Sequence, residues 1–484
     1  MTASQARSSG AATFRRVSEH RVHAFTDDAL GDRDAVGLVD ALHAGEVSIP
    51  EVVDAAIARA ETVQPELNGI VFEAFERARR EAAEPRPGYF AGVPTWIKDN
   101  VDVAGMPTMQ GTDAWVPVNA KQDGDFARMF LATGLLPLGK SRLSEYGFSP
   151  SAEHPRQGAV RSPWDTRRTA GASSAGSSAM VAAGVVPLAH ANDGGGSIRI
   201  PASVNGLVGL KPTRDRLAQD ATLRQMPVRI VSDGVVTRSV RDTAAFFREA
   251  EKVYRALHLP PIGDLTRPGR GRLRIGVHTD GVGRAASPEV AELTLKTAAI
   301  LEELGHQVEH ADVPVDESLP DDFLLYWSSL AFFLLRAGRR QHGRSWDPDR
   351  LDNISHGLAG HARRNLHRLP GAIRRLRRTT KAAADYYRRY DVALTPTLGT
   401  ETPEIGHLDP RQDYEVVMDR IKDWVAFTPL QNATGDPAIS LPLMTTANGL
   451  PQGMMLGAAA GREATLIELA YELEEAVPFA RIQG

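Results

Sequence analysis

Short apolar segments bounded by glycine or proline alternate along this chain with longer runs whose apolar residues recur three and four apart, and few architectures bury both kinds of segment at once. Strand-like segments fall at 95–99, 135–138, 185–189, 273–277, 392–394 and 438–441, and helical patterns at 126–132, 241–254, 288–304 and 463–474. Ser48-Ile-Pro-Glu51 reads as the start of a further helix, with Ser48 as cap, Glu51 completing a capping box, and Val52, Val53, Ala56, Ile57 and Ala60 at helical spacing. Another helix is expected over about 72–83. The alternation predicts an α/β fold, a large mixed β-sheet covered by helices on both faces. No internal repeat and no Pro/Gly/Ser-rich linker divides the chain, so residues 26–484 read as a single domain behind a loosely held arm, residues 1–25.

Composition matters chiefly through what it removes. The 484 residues include no cysteine, so disulfides, thiolate metal sites and cysteine nucleophiles are all excluded. A formal net charge of −4 is far from the basic balance of a nucleic-acid binder. The basic stretch 363–389, with ten Lys/Arg against Asp385, spreads its charges around a helix and reads as a solvated face. The N-terminus lacks the apolar core of a secretory signal, and the apolar run 323–335 is shorter than the ~20 residues that span a bilayer. A cytoplasmic protein with no nucleic-acid or membrane partner is therefore expected.

Three motifs compete for a functional reading. Gly134-Leu-Leu-Pro-Leu-Gly139-Lys140-Ser141 matches the spelling of a phosphate loop, but its interior is three leucines and a proline, which suits a buried strand better than a cradle of N–H donors. His306-Gln-Val-Glu-His310 matches a zinc-hydrolase spelling that works only on a helix. Here Gly305 ends the preceding helix and 307–313 alternates as a strand would, setting the two histidines about 13 Å apart. Surface histidines at a turn and strand are expected, with no metal. The third motif is the block Ala170-Gly-Ala-Ser-Ser-Ala-Gly-Ser-Ser178, followed by His190-Ala-Asn-Asp-Gly-Gly-Gly-Ser-Ile-Arg-Ile-Pro201. Gly194, Gly195 and Gly196 directly before Ser197 would let consecutive N–H groups converge, as stabilisation of an oxyanion requires.

A serine here needs a base. No GxSxG elbow occurs, and neither His154 nor His190 has an evident acid beside it in sequence, so a Ser–His–Asp triad has little support. A buried lysine is the remaining candidate, because burial disfavours the cation and frees the amine at neutral pH. Lys98 lies on a strand beside Trp96 and Ile97, but residue patterns alone leave Lys140 and Lys211 open as well.

The lysine segment Gly92-Val-Pro-Thr-Trp-Ile-Lys98-Asp-Asn-Val-Asp-Val-Ala-Gly105, the serine/glycine block, and the stretch 424–442 with Gly449-Leu-Pro-Gln-Gly453 resemble the amidase signature family of serine hydrolases, over most of the chain from about 40 to 478. Lys98 to Ser173 and Ser173 to Ser197 are separated by 75 and 24 residues, spacings similar to that family's. The resemblance implies the amidase signature fold and hydrolysis of linear or cyclic carboxamides. It implies Ser197 as nucleophile, Ser173 as a bridging serine behind a cis peptide bond, Lys98 as base and Ser174 in support. The N–H groups of Gly194, Gly195, Gly196 and Ser197 would form the oxyanion hole, and Asp193 with Arg199 a pair holding that loop. It implies no cofactor and a small-molecule amide as partner, with a homodimer allowed. It also places the aromatic run 323–333 beside the acyl site.

There are departures from the family pattern. Ala172 and Ala175 replace glycines, Asn192 replaces a threonine, and Arg142 stands in Gly139-Lys140-Ser141-Arg142 where the family has asparagine, a change expected to alter the substrate pocket. Within the family, the segments 190–193, 200–203 and 402–406 are most similar to 6-aminohexanoate cyclic-dimer hydrolase. That enzyme's pocket cysteine has no counterpart, Ser328 and Ser329 occupying the comparable stretch, so its substrate does not carry over. The alternative reading is a glutamine amidotransferase A-type subunit supplying ammonia in a tRNA-charging complex. A non-catalytic binding protein would give Lys98, Ser173 and Ser197 no reason to persist together.

Overall fold

The computed structural model describes residues 20–313 and 315–484. An eight-stranded sheet is built from β4 (Leu188–Asp193), β5 (Val208–Lys211), β6 (Ser232–Thr237), β7 (Arg274–Val277), β8 (Gln307–His310), β9 (Val392–Pro396), β10 (Ala438–Thr445) and β11 (Pro451–Ala458). Across the sheet the order is β8-β7-β9-β11-β10-β5-β6-β4. The β7–β8 and β7–β9 pairs are parallel and the others antiparallel, so the sheet is mixed. Every residue of β4, β6 and β11 is buried, as strands covered by helices on both faces must be. A separate three-stranded sheet, in the order β1-β3-β2, comprises β1 (Ile70–Glu73), β2 (Pro94–Lys98) and β3 (Leu136–Ser141). No helix among the described residues is long and apolar enough to cross a membrane.

Local sequence accounts for many of the element boundaries. Ser48 caps the helix Ile49–Leu67 and Glu51 closes the capping box. The helix expected from about residue 72 begins at Phe75, because Ile70, Val71 and Phe72, good strand formers, belong to β1 alongside β3. The strand expected at 185–189 starts only at Leu188, after Pro187, which cannot donate to a ladder. The aromatic run 323–335 lies within one long helix, Leu319–His342. Residues 1–19 of the expected arm lie outside the described residues, whereas Val22 and Ala24 donate to Pro163 O and Ala183 O at 2.9 and 2.8 Å.

One glycine in the serine block positions everything near it. Gly176 opens the helix Ala175–Ala182, and a Cβ there would stand 2.2 Å from Gly69 O and 2.6 Å from Arg142 N, backbone atoms that cannot swing aside. The helix start is thereby wedged against the ends of β1 and β3, which sets Ser173 and Ser174 opposite β2. Gly176→Ala is expected to lower the unfolding free energy by about 1–3 kcal/mol through overpacking. Urea denaturation checks this, and an unchanged midpoint would show that the helix start can shift without cost.

Candidate active site

The site lies where two sheet edges face each other. β2 is an edge of the small sheet and β4 an edge of the large one, and they share no hydrogen-bonded ladder. Side chains bridge the seam instead: Thr95 Oγ1 donates to Leu188 O at 3.1 Å, and the Lys98 N–H donates to His190 Nδ1 at 3.2 Å. Along β4 successive side chains alternate in direction, so His190 and Asn192 face β2 while Asp193 faces the opposite layer.

Lys98 is fully buried. Its Nζ lies 2.6 Å from Ser173 Oγ, 3.0 Å from Ser174 Oγ, and 2.6 and 3.3 Å from Asn192 Oδ1 and O. Burial pushes its pKa down to about 7, although Asp233 and Asp193 act in the opposite direction. A neutral amine has two hydrogens and one lone pair. With the hydrogens on Asn192 oxygens or Ser174, the lone pair is available to the Ser173 hydroxyl. The Ala172–Ser173 peptide bond is cis. Ser174 Oγ donates to Ser197 O, which ties the two serine segments together.

The other two lysines are committed elsewhere. Lys140 Nζ bonds Val101 O at 2.8 Å, Pro107 O at 3.2 Å and Thr108 Oγ1 at 3.1 Å, and pairs with Asp99 Oδ1 at 3.3 Å. Lys211 Nζ donates to Pro212 O and Asp436 O at 2.8 and 2.9 Å. The geometry therefore separates three lysines that residue patterns left equivalent.

The loop 193–199 is held by Asp193, which accepts from Gly196 N at 2.7 Å, Ile198 N at 3.2 Å, Arg199 Nε and Nη2 at 2.8 and 2.9 Å, and Asn432 Nδ2 at 2.8 Å. Burial alone would raise this carboxyl, but the Arg199 guanidinium and the donors around it hold it well below the usual carboxylate range. Gly196 has φ 136°, and a Cβ there would meet Thr428 Oγ1 at 2.4 Å, so only glycine fits. One expectation needs correction: the Gly196 N–H is taken by Asp193 and does not point to a shared centre. The N–H groups of Gly194, Gly195 and Ser197 find no acceptor among the described residues.

Ser197 and Gly195 line a cavity of about 400 Å³ whose wall beside them includes Phe148, Ile200, Phe323, Trp327, Met418 and Phe427. Trp327 stacks on Phe323 and meets Phe148 edge-on. Ser328 and Ser329, on the same helix, are buried and do not line this cavity, whereas the adjoining Trp327 does. Arg142 is not in the cavity wall either; its guanidinium bonds Asn68 O, Ile70 O and Gln157 Oε1 beyond the end of β3. His306, expected at the surface, is buried, with Nε2 3.0 Å from Glu472 Oε2 and Nδ1 accepting from Leu273 N, while His310 lies on strand β8. His190 does have an acid near it, Asp233, but both ring nitrogens are engaged away from the serines. Asn192, His190, Asp233 and Asn432 were not legible as partners of the site, because 43 or more residues separate Asp233 from His190 and Asn432 from Asp193.

A model of the Amidase family matches residues 51–467, and the chain belongs to that family. A protein of Mycobacterium leprae named as amidase AmiC is 63% identical over 464 residues, covering 96% of this chain and 99% of the relative. The 6-aminohexanoate-cyclic-dimer hydrolase of Pseudomonas sp. is 33% identical, covering 92% and 95% of the two chains. The solved structure of a 6-aminohexanoate cyclic dimer hydrolase complexed with substrate superposes with a TM-score of 0.83 at 33% identity, over 93% of this chain and 99% of that one. The protein is an amide-hydrolysing enzyme of the amidase signature fold.

The buried Asp193–Arg199 pair makes the loop's dependence on charge testable. Asp193→Asn leaves Arg199 without its counter-ion and is expected to cost about 3–5 kcal/mol of stability. Denaturant unfolding would show it, and a wild-type midpoint would mean that the side-chain oxygens of Gln431 and Asn432, which accept from Arg199 at 2.9 and 2.7 Å, suffice to hold the guanidinium.

Proposed function

We propose that this amidase hydrolyses a non-peptide carboxamide to a carboxylate and ammonia or an amine, through an acyl-enzyme on Ser197 and a proton relay from Ser197 through Ser173 to Lys98. The observation that carries this reading is the 2.6 Å contact between the fully buried Lys98 Nζ and Ser173 Oγ. Neutral Lys98 takes the Ser173 proton as Ser173 takes that of Ser197, and Ser197 Oγ bonds to the amide carbon. The carbonyl oxygen, now anionic, is met by the N–H groups of Gly194, Gly195 and Ser197, fixed in advance by the Asp193 scaffold. As the C–N bond breaks, the proton held on Lys98 returns through Ser173 to the leaving nitrogen. Water then attacks the ester carbon, losing its proton along the same relay to Lys98; as the bond between that carbon and Ser197 Oγ breaks, the proton returns through Ser173 to Ser197 Oγ and the carboxylate leaves.

The aromatic and aliphatic wall beside Ser197 suits an apolar group adjoining the scissile amide. Trp327→Ala is expected to change the relative kcat/KM among aliphatic, aryl and cyclic amides by about tenfold or more. A uniform rate loss that follows a fall in Tm would make Trp327 merely a packing residue.

Two measurements test the mechanism. Lys98 must be neutral to accept a proton, and it becomes protonated as pH falls through about 7, so kcat/KM should rise with pH through that value and level off above it. A limb near the ordinary lysine value would contradict a neutral base. A fluorophosphonate should label Ser197 alone; Ser197→Ala should abolish labelling and turnover, whereas Ser173→Ala should retain activity reduced about 100- to 10,000-fold. Peptide mapping that finds the label on another serine would overturn the assignment.

A further inference from the structure

The seam between β2 and β4 leaves the Lys98 N–H without a carbonyl to pair with, and a buried unpaired N–H is costly. The His190 imidazole takes that place, its Nδ1 accepting at 3.2 Å. Nδ1 is therefore the unprotonated nitrogen, and the ring hydrogen is on Nε2, which faces Asp233 Oδ1 at 3.4 Å. The ring is fully buried and packs against Phe126 at 4.5 Å. The His190 carbonyl is fixed as well, accepting from Ser177 Oγ at 2.6 Å.

Asp233 stands directly opposite Asn192 in the β4–β6 ladder, and Asn192 Oδ1 touches Lys98 Nζ. The carboxylate is buried, its Oδ2 has no hydrogen-bond partner, and no Lys or Arg among the described residues pairs with it. The charged groups around Lys98 are accounted for element by element. Asp193 on β4 is claimed by Arg199, and Lys140 on β3 is paired with Asp99. His190 accepts at Nδ1 from the Lys98 N–H and so is neutral, in the direction in which burial moves its pKa. Asp220, which acts on Asp233, accepts from Asp125 N and Phe126 N, so of the two carboxylates that favour a charge on Lys98 Asp233 is the one that no lysine or arginine pairs among the described residues.

We propose that His190 and Asp233 are positioning residues for Lys98: the imidazole anchors the lysine's backbone across the seam, and the Asp233 carboxylate fixes that imidazole and stabilises the proton Lys98 carries during turnover. The inference rests on the reading of Lys98 as the base. Removing the anion disfavours the ammonium form, so Asp233→Asn should move the acid limb of kcat/KM to lower pH by on the order of one unit while lowering the plateau. His190→Leu, which removes the acceptor for Lys98 N–H, should reduce kcat at least about tenfold with KM little changed, because it disturbs the base without touching substrate. His190→Asn, with an oxygen near the Nδ1 position, should recover most of that loss.

The experiment is the pH profile of these variants, with rates normalised to active sites titrated by fluorophosphonate, alongside ¹⁵N NMR of His190 in the wild-type enzyme. The NMR does not depend on any variant folding, and it should show a neutral Nε2–H ring from about pH 5 to 9. Limbs unmoved in Asp233→Asn together with wild-type normalised rates in the His190 variants, or a His190 that titrates in that range or carries its hydrogen on Nδ1, would overturn the proposal. A wild-type kcat/KM independent of pH, or a fully active Lys98→Met, would instead overturn the reading of Lys98 itself.

Discussion

An ammonium group removed from water is strongly disfavoured unless it is paired, and the Lys98 amine contacts only neutral oxygens, with no carboxylate among its hydrogen-bond partners. In the proposed mechanism the rest of the site follows from keeping that amine neutral and reachable. Two serine hydroxyls and an asparagine amide satisfy it without supplying a contacting charge that would hold its proton. Had a carboxylate taken the place of Asn192 Oδ1, the same burial would hold a salt bridge and the lysine could not serve as a base at neutral pH. The contrast with Lys140 is internal to the protein: that lysine is equally buried, but it bonds a carboxylate and backbone carbonyls, and no serine.

The fold brings these groups together at a junction between two sheets rather than within one. β2 delivers Lys98, the helix start at Ser174 delivers the serines, and β4 delivers Asn192 on one face and Asp193 on the other. One strand thus links the surroundings of Lys98 to the loop carrying Ser197. At that loop, Arg199, the side chain of Asn432 and two backbone N–H groups converge on a single buried carboxylate, and the N–H groups of Gly194, Gly195 and Ser197 are left without an acceptor among the described residues. Unpaired donors held rigidly are what a developing oxyanion requires, since no reorganisation is needed as the charge forms.

Much of this was legible in the sequence, for identifiable reasons. Strands and helices with strong periodicity, such as β7, β9 and the helix Pro288–Glu303, were found close to their actual bounds. β5, β6 and β11 were missed because glycines and a uniformly buried environment erase the alternation that marks a half-exposed strand. At the site, residue types and spacing suggested a serine after three glycines and a buried lysine, but only long-range packing distinguishes Lys98 from Lys140 and Lys211. The Gly196 N–H was misassigned for a related reason: a run of glycines shows that the backbone can turn, not which amide a neighbouring carboxylate will capture. Arg142, from its place in a motif, was expected to alter the substrate pocket, yet its side chain turns back toward Asn68 and Ile70 and does not line the cavity.

The central claim is that Lys98 is an uncharged amine at neutral pH. Titrating the lysine side chains by NMR in protein labelled at lysine, with Lys98→Met to assign the resonance, reads that property in the absence of substrate. The account predicts a midpoint near 7 for Lys98, with the neutral form dominant above it. A Lys98 resonance that stays protonated to the ordinary lysine range near ~10.4 would contradict it.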